Sequence, residues 1–364
     1  MNDRKIRIAF LITDLDVGGA EQNLAALAVG LDKTLFEVCV ASLLPAGEVA
    51  TRLREGGIAV TDVHMSSYAD LRACRRLHRW LRRARADLLH TWLFHANFLG
   101  RIAARFVGVK PVVSSIRVAE PRRLHLLGER LTTALADCIL ANSASLRDYM
   151  IDAGVRADRL KVIPNAVDLQ RFAAARRRAA KAKRLRVLFV GRLTEQKGVD
   201  VLLRAAGDVS LRSGIEVVVA GEGPDRSKLM ALAEDLELDH VRFVGQTDRV
   251  PELLAESDLF VLTSRWEGLP NVVLEAMASR CPVVGTEVTG TRDLIRSGEN
   301  GLLVPVDDVP ALVGALRRLS EDASLRERLA EGGYETARRH SMRAMVEAHT
   351  ELYLELLKRS RRLI

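Results

Sequence analysis

Short apolar runs alternate with amphipathic stretches along the whole chain. In the first half, strand-like runs lie near Ile6–Ile12, Phe36–Ala41, Ala59–Val63, Leu88–His90, Val112–Ser115 and Cys138–Ala141. In the second half they lie near Arg186–Val190, Glu216–Ala220, Val241–Val244, Leu259–Leu262 and Pro282–Gly285. Helical patterns separate most of them. This β–α rhythm, run through twice, predicts two doubly wound α/β domains with parallel sheets. Ligands of such sheets bind outside the carboxyl ends of the strands. Two such domains facing each other would form a cleft lined by strand-to-helix loops.

The join is visible in the sequence. Residues 173–184, from Ala173 to Arg184, are low in complexity, basic and free of β-branched residues. The expected layout is therefore a first domain over 1–172, a linker over 173–184, a second domain over 185–340 and a C-terminal helix with a basic tail over 341–364. That last helix, near Met342–Leu357, is expected to return toward the first domain.

Composition narrows the picture. The chain has 364 residues, 48 % hydrophobic, enough for sizeable cores. No uncharged apolar run of about 18 residues appears, so no spanning helix is expected. The start, Met1-Asn2-Asp3-Arg4-Lys5, leads directly into a strand, without a signal peptide's cleavage region. Cys39, Cys74, Cys138 and Cys281 are scattered, which fits a reducing compartment better than a zinc site or disulfide framework. The expected location is the cytoplasm, with peripheral docking on the membrane's cytoplasmic face.

The formal net charge of +8 is unevenly placed: residues 1–184 are strongly basic and the remainder mildly acidic. Only one half is thus expected to meet an anionic surface. Leu71–Ala84 reads as an amphipathic helix, with Leu71, Cys74, Leu77, Leu81 and Ala84 on one face and six arginines over much of the rest. On an anionic membrane each such cation adds about 1 kcal/mol. Nucleic acid is not an expected partner, because aromatic residues make up only 4 % and no recognised module is present.

The candidate chemistry sits in loops after strands. Gly191-Arg192-Leu193-Thr194-Glu195-Gln196-Lys197-Gly198 begins where a strand ends and stops where a helix begins. Arg192 and Lys197 are suited to a diphosphate, each charge-assisted bond contributing about 1.5–3 kcal/mol. Thr263-Ser264-Arg265-Trp266-Glu267-Gly268-Leu269 then forms a loop before Pro270, which suits the first position of a helix. The backbone N–H groups of Asn271, Val272 and Val273 would make an anion site at that helix start. Gly268 permits close approach of ligand and backbone. Glu275, just over one turn further on, leans toward the N-terminus and toward ribose hydroxyls. Glu267 is placed for sugar hydroxyls. Two carboxylates beside a diphosphate require Arg192 and Lys197 to offset their charge.

These residues resemble the donor domain of retaining GT-B glycosyltransferases of family 4 (group 1). That family carries a G-R-x-x-x-x-K-G turn and an E-G-x-P-x-x-x-x-E motif, here Gly191–Gly198 and Glu267–Glu275. The similarity extends to Gly221-Glu222-Gly223-Pro224, Val241-Arg242-Phe243-Val244-Gly245 and Asn300-Gly301-Leu302-Leu303-Val304. Residues around the third of these stretches border the base in the family, and Gly221 and Val244 join the donor contacts. One departure is Val288-Thr289-Gly290-Thr291-Arg292-Asp293, where many members have paired glycines and a Glu. The resemblance implies the GT-B architecture, with two Rossmann-like domains facing an interdomain cleft.

In the first half, Gly18-Gly19-Ala20-Glu21 resembles the family's G-G-A-E loop, which lies near the donor diphosphate and the acceptor. Gly18 and Gly19 permit a tight turn before a helix, whose N-terminus again favours phosphate. Asp14-Leu15-Asp16 is a D-x-D, but the cationic motifs elsewhere make a metal unnecessary. At the end of the fourth strand the family often shows H-x-H. Here Trp92 takes the second place and His95 follows, so His95 is the expected active-site histidine and His90 a buried, bonded strand residue. Glu21, His95 and Arg117 form the acceptor-side set.

The resemblance implies retaining sugar transfer from a nucleotide-diphosphate sugar to a saccharide or lipid-linked saccharide in cell-surface glycan synthesis. Glu267, His95, Arg192 and Lys197 are the expected catalytic residues, with no cofactor and no metal. Two alternatives are a nucleotide-sugar epimerase of the same fold and a non-enzymatic sugar-nucleotide binder. An NAD oxidoreductase would need the G-x-G-x-x-G fingerprint, which is missing.

Overall fold

A computed structural model describes residues 4–16, 18–67, 70–118, 123–173 and 184–361. Those residues fall into two compact units, one drawn from 1–165 and 342–364 and the other from 166–341. The chain passes between units at Asn165 and Ala166, so residues 166–172 belong with the second unit. Most of the basic stretch read as a linker, 174–183, lies outside the described residues.

The first unit is built on seven strands: β1 (Ile6–Ile12), β2 (Phe36–Ser42), β3 (Ala59–Asp62), β4 (Leu88–Trp92), β5 (Val112–Ile116), β6 (Cys138–Ala141) and β7 (Leu160–Val162). They pair in parallel in the order β3-β2-β1-β4-β5-β6-β7. The order reverses between β1 and β4, which is where such sheets take their ligands. There Ile12 pairs with Trp92; further along the sheet Trp92 pairs with Ser115 and Ile116 with Ala141.

The second unit holds β8 (Leu185–Val190), β9 (Ile215–Ala220), β10 (Val241–Gly245), β11 (Leu259–Leu262), β12 (Val283–Thr286) and β13 (Leu302–Val304). These run in parallel in the order β10-β9-β8-β11-β12-β13, with the reversal between β8 and β11. Every residue of β11 is buried, as expected for a central strand covered on both faces. Its core includes Phe189, Phe260, Met277 and Leu329, and burying each such side chain is worth about 1.5–3 kcal/mol.

Several expectations need correction. Strands β7 and β13 were not anticipated; each has three residues, too few for a readable pattern. The final helix runs over Met342–Arg361, longer than its apolar face implies. It lies against the helix Gly19–Gly30 within the first unit, with Val346 beside Gly30. On the helix Leu71–Ala84 the buried stripe is Ala73, Leu77 and Leu81, a strict four-residue spacing. Leu71 is 75 % exposed and Cys74 is exposed, so both leave the face assigned to them. Among the described residues no helix is long and apolar enough to cross a membrane.

Candidate functional site

In the second unit, the loops after β8 and β11 flank the sheet's switch point and are stitched together. Arg265 N–H donates to Gln196 O at 2.8 Å, Gln196 Nε2 to Trp266 O at 2.9 Å and Thr263 Oγ1 to Lys197 O at 3.1 Å. Arg265 adds charge to the seam, pairing with Asp200 and Asp307 at 2.9 Å each and donating to Glu195 O at 2.7 Å. Gly198 closes this seam at φ +58, and a Cβ there would overlap the Thr263 carbonyl oxygen.

This stitching places Lys197 Nζ 2.5 Å from Glu267 Oε1. Ser264 Oγ donates to the same oxygen at 2.6 Å. Glu267 is buried and Lys197 half-buried, so water screens the pair only weakly. Arg192 behaves differently: its side chain is exposed and forms no ion pair among the described residues. The structure therefore joins Lys197 to Glu267 and leaves Arg192 on the surface of the loop.

The helix after this loop spans Asn271–Ala278. Pro270 is its N-cap, not its first helical residue, with φ −74 and ψ 107. Val273 N–H is returned to Pro270 O at 3.1 Å, so the anion site expected there loses that donor. Leu269 is buried and Val272 half-buried. Gly268 meets the helix Thr289–Leu294, where a Cβ on Gly290 would overlap the Gly268 carbonyl oxygen. The departure from the family pattern at Val288–Asp293 thus keeps the glycine that this approach needs. Gly221 follows β9 and donates to Gly245 O at 2.8 Å, and Val244 lies exposed on edge strand β10.

Glu275 is half-buried one turn into the helix, and burial pushes its carboxyl up to about 7, against the pull of Arg171. Its electrostatic partner is thus Arg171, in the helix Leu169–Ala173, and not Arg192 or Lys197 as the sequence suggested.

In the first unit, Gly18 caps the helix Gly19–Gly30 in extended conformation, and Glu21 folds back so that a Cβ on Gly18 would overlap its carboxylate. Glu21 is buried. Asp16 N–H donates to Asp14 Oδ1 at 3.4 Å, and no cluster of acidic, His or Cys side chains suited to a metal occurs among the described residues. His90 is fully buried, with Nδ1 2.7 Å from Tyr353 Oη and Nε2 2.8 Å from Ser115 Oγ. His95 lies half-buried in the first turn of the helix Phe94–Val107, its ring edge-on to Phe94 and to His125. Leu93, the cap of that helix, sits at φ 72 and ψ 159, a conformation costing a non-glycine residue about 1–3 kcal/mol. The buried pair Arg101–Glu129, 2.5 Å apart, anchors the same helix.

Arg117 is buried, not on the surface. Its guanidinium lies 3.8 Å over the Trp92 ring and donates to Asn165 Oδ1 at 2.7 Å. Burial lowers its pKa to about 9, with Tyr353 and Glu21 pulling it back up, so it stays charged at pH 7. Among the described residues its Nε has no hydrogen-bond partner, and neither do Thr13 Oγ1, Trp92 Nε1 and Asn142 Oδ1. These atoms follow or end β1, β4, β5 and β6, adjacent strands at the switch point. Buried polar groups left unpaired are costly, and four of them gather here.

Residues 171–336 match the model of the family described as Glycosyl transferases group 1, and residues 17–171 that of Glycosyltransferase Family 4. The lipopolysaccharide core biosynthesis glycosyltransferase LpsE of Rhizobium meliloti (strain 1021) is 31 % identical over 346 residues, covering 93 % of this chain and 96 % of LpsE. The chain belongs to the group 1, family 4 glycosyltransferases. This glycosyltransferase is also 28 % identical to an Escherichia coli enzyme, UDP-Gal:alpha-D-GlcNAc-diphosphoundecaprenol alpha-1,3-galactosyltransferase, covering 72 % of this chain and 73 % of that one. Its structure resembles Anabaena HepE, solved with UDP and glucose, at a TM-score of 0.85 and 22 % identity, over 96 % of this chain and 100 % of HepE. The two parallel-sheet units and this likeness give the glycosyltransferase a GT-B architecture.

Sequence reasoning missed several residues of this glycosyltransferase's candidate site. In the sequence Ser264 and Arg265 read only as loop residues beside Glu267. Their hint was position, directly after a buried central strand. Arg171 falls in the second unit, where the sequence layout of 1–172 places it in the first, and Tyr353 lies in a helix that carries no motif.

Proposed function

We propose that this glycosyltransferase moves a sugar, with retention of anomeric configuration, from a nucleotide-diphosphate sugar to a saccharide carried on a lipid, in cell-surface glycan assembly. The observation that carries the reading is the Lys197–Glu267–Ser264 cluster beside the N-terminus of the helix Asn271–Ala278. Lys197, Arg192 and that helix end neutralise the departing diphosphate, which is electrostatic catalysis. Glu267 orients the sugar and supports positive charge developing at its ring. Glu275 accepts ribose hydroxyls, and the acceptor hydroxyl attacks from the face the nucleotide leaves. Because these cations serve the phosphates, no metal is needed, and a chelator leaves turnover unchanged.

The first unit takes the acceptor through the unpaired polar atoms around Arg117 and Trp92, with Glu21 and His95 on the same side of the reaction. The names of the relatives support a lipid-borne saccharide: one serves lipopolysaccharide core biosynthesis and another acts on a diphosphoundecaprenol substrate. The basic first half meets the anionic cytoplasmic face of the membrane where such acceptors are handled.

A donor screen tests the reading. UDP-sugars come first, since HepE was solved with UDP. Slow hydrolysis without acceptor, releasing sugar of the donor's own anomeric configuration by NMR, is expected. Release of the opposite anomer overturns retention. Conversion to an epimeric nucleotide-sugar without acceptor would favour an epimerase, and binding without any turnover a sugar-nucleotide binder.

A further inference from the structure

The helices Leu71–Ala84 and Phe94–Val107 leave between them a groove of about 920 Å³. Its apolar lining comes from Leu77, Leu99, Ile102 and Phe106. Phe106 is 78 % exposed, the most exposed apolar side chain of the groove. Its polar lining is almost entirely cationic, from Arg75, Arg79, Arg82, Arg83 and Arg85.

Those arginines are all exposed, and none has an acidic partner among the described residues. Arg75, Arg79 and Arg83 stand four residues apart along one helix, the spacing at which like charges repel. A second cavity of about 440 Å³ shares Arg82 and Arg85 and adds Lys110. Among the described residues of the first unit nothing returns the energy of gathering these charges over an apolar floor. An anionic amphiphile would, by placing phosphate among the guanidiniums and hydrocarbon on the floor.

We propose that this groove docks the glycosyltransferase on anionic bilayers, seating a phospholipid phosphate against Arg79, Arg82 and Arg83 while Phe106 enters the acyl region. The proposal deepens the membrane partner named above and rests on that part of the reading alone. Two features separate it from a flat basic surface: the groove has an apolar floor, and its most exposed apolar side chain is aromatic.

The test is co-sedimentation of the full chain with phosphatidylcholine vesicles, with and without phosphatidylglycerol. The wild type is expected on the phosphatidylglycerol vesicles at least about ten-fold more than on neutral ones. The triple reversal Arg79→Glu, Arg82→Glu, Arg83→Glu should abolish that preference. Phe106→Ser, at an exposed position, should weaken binding several-fold with the arginines intact. Equal binding to neutral vesicles, or full binding by the triple variant, overturns the proposal. So does an unaltered Phe106→Ser variant, which would mean adsorption by charge alone. Displacement by inorganic phosphate at constant ionic strength would reassign the arginines to a soluble anion, and capture of an RNA oligonucleotide without vesicle binding to nucleic acid. Turnover of a soluble acceptor, assayed alongside, should be the same in all variants. If the wild type binds vesicles but transfers no sugar, the transferase reading fails and the docking surface stands.

Discussion

Lys197 and Glu267 hold each other at 2.5 Å, and Ser264 gives the same carboxylate oxygen a second bond. Under the proposed function a diphosphate competes with Glu267 for the ammonium, while the sugar competes with the ammonium for Glu267. Glu267→Gln frees Lys197 and removes the charge meant for the sugar ring. Transfer should fall by about 10²–10³-fold, with nucleotide diphosphate binding retained or tightened. Single-turnover kinetics and titration calorimetry check both halves; wild-type turnover in the variant ends the proposed role of Glu267.

The two cations of the loop should separate cleanly. Arg192 is exposed, so Arg192→Ala should change stability by no more than about 0.5 kcal/mol. Lys197→Ala leaves buried Glu267 without its cation and should lower the melting temperature as well. Each should weaken nucleotide diphosphate binding by roughly 10–100-fold if it forms a charge-assisted bond there. Calorimetry paired with thermal melts distinguishes them; unchanged binding in the double variant would contradict the phosphate role.

Much of this site was readable because its residues crowd into two short windows, Gly191–Gly198 and Thr263–Glu275, where charged side chains, glycines and a proline stand at strand ends. The βαβ rhythm exposed most strands because each carries a short apolar run, unbroken in Leu259–Leu262. What stayed hidden depends on contacts between distant positions. Nothing local to Arg171 says that its charge faces Glu275, and nothing local to Trp92 says that Arg117 stacks on it. The helix Leu71–Ala84 misled for a physical reason. A helical face predicted by periodicity alone ignores that Cys74 lines an open groove and that Leu71, at the helix start, stays exposed.

Glu275 should make itself felt through pH. Its ordinary value of 4.5 is raised to about 7, so between these values the folded chain keeps a proton that the unfolded chain has lost. From this group stability falls as pH rises from about 4.5 to 7, and is level above. Glu275→Gln should remove that slope from thermal melts. Ribose hydroxyls donate better to a carboxylate than to a carboxylic acid, so nucleotide affinity should climb with pH through 7 in the wild type and lose this dependence in the variant. An unaltered pH profile in Glu275→Gln would refute the assignment.

Gly290 tests the approach of two loops. A Cβ at this position overlaps the Gly268 carbonyl oxygen, a backbone atom that cannot rotate away. Gly290→Ala should cost about 1–3 kcal/mol and shift the Glu267 loop. Both melting temperature and nucleotide affinity are expected to drop. A variant with normal affinity would show that the loop's position does not govern the donor.

The last prediction concerns a helix that carries no motif. Tyr353 stands 263 residues from His90, yet its hydroxyl lies 2.7 Å from His90 Nδ1 in a fully buried setting. Burial drives the His90 pKa down, aided by His349 and Arg117, and drives the Tyr353 pKa up, so both groups are neutral at pH 7. Their bond is thus a neutral one whose partners cannot turn to water. Tyr353→Phe keeps the ring and deletes only the hydroxyl, leaving His90 Nδ1 buried and unpaired at a cost of about 1–3 kcal/mol. The same His90 also meets Ser115, which holds Arg117 Nη2 at 3.3 Å. Loss of the hydroxyl should therefore loosen the Arg117 guanidinium on Trp92, raising the acceptor KM more than it lowers kcat. Thermal melts read the first effect and steady-state kinetics the second. A variant with a lowered melting temperature but an unchanged acceptor KM would confine Tyr353 to holding the C-terminal helix in place.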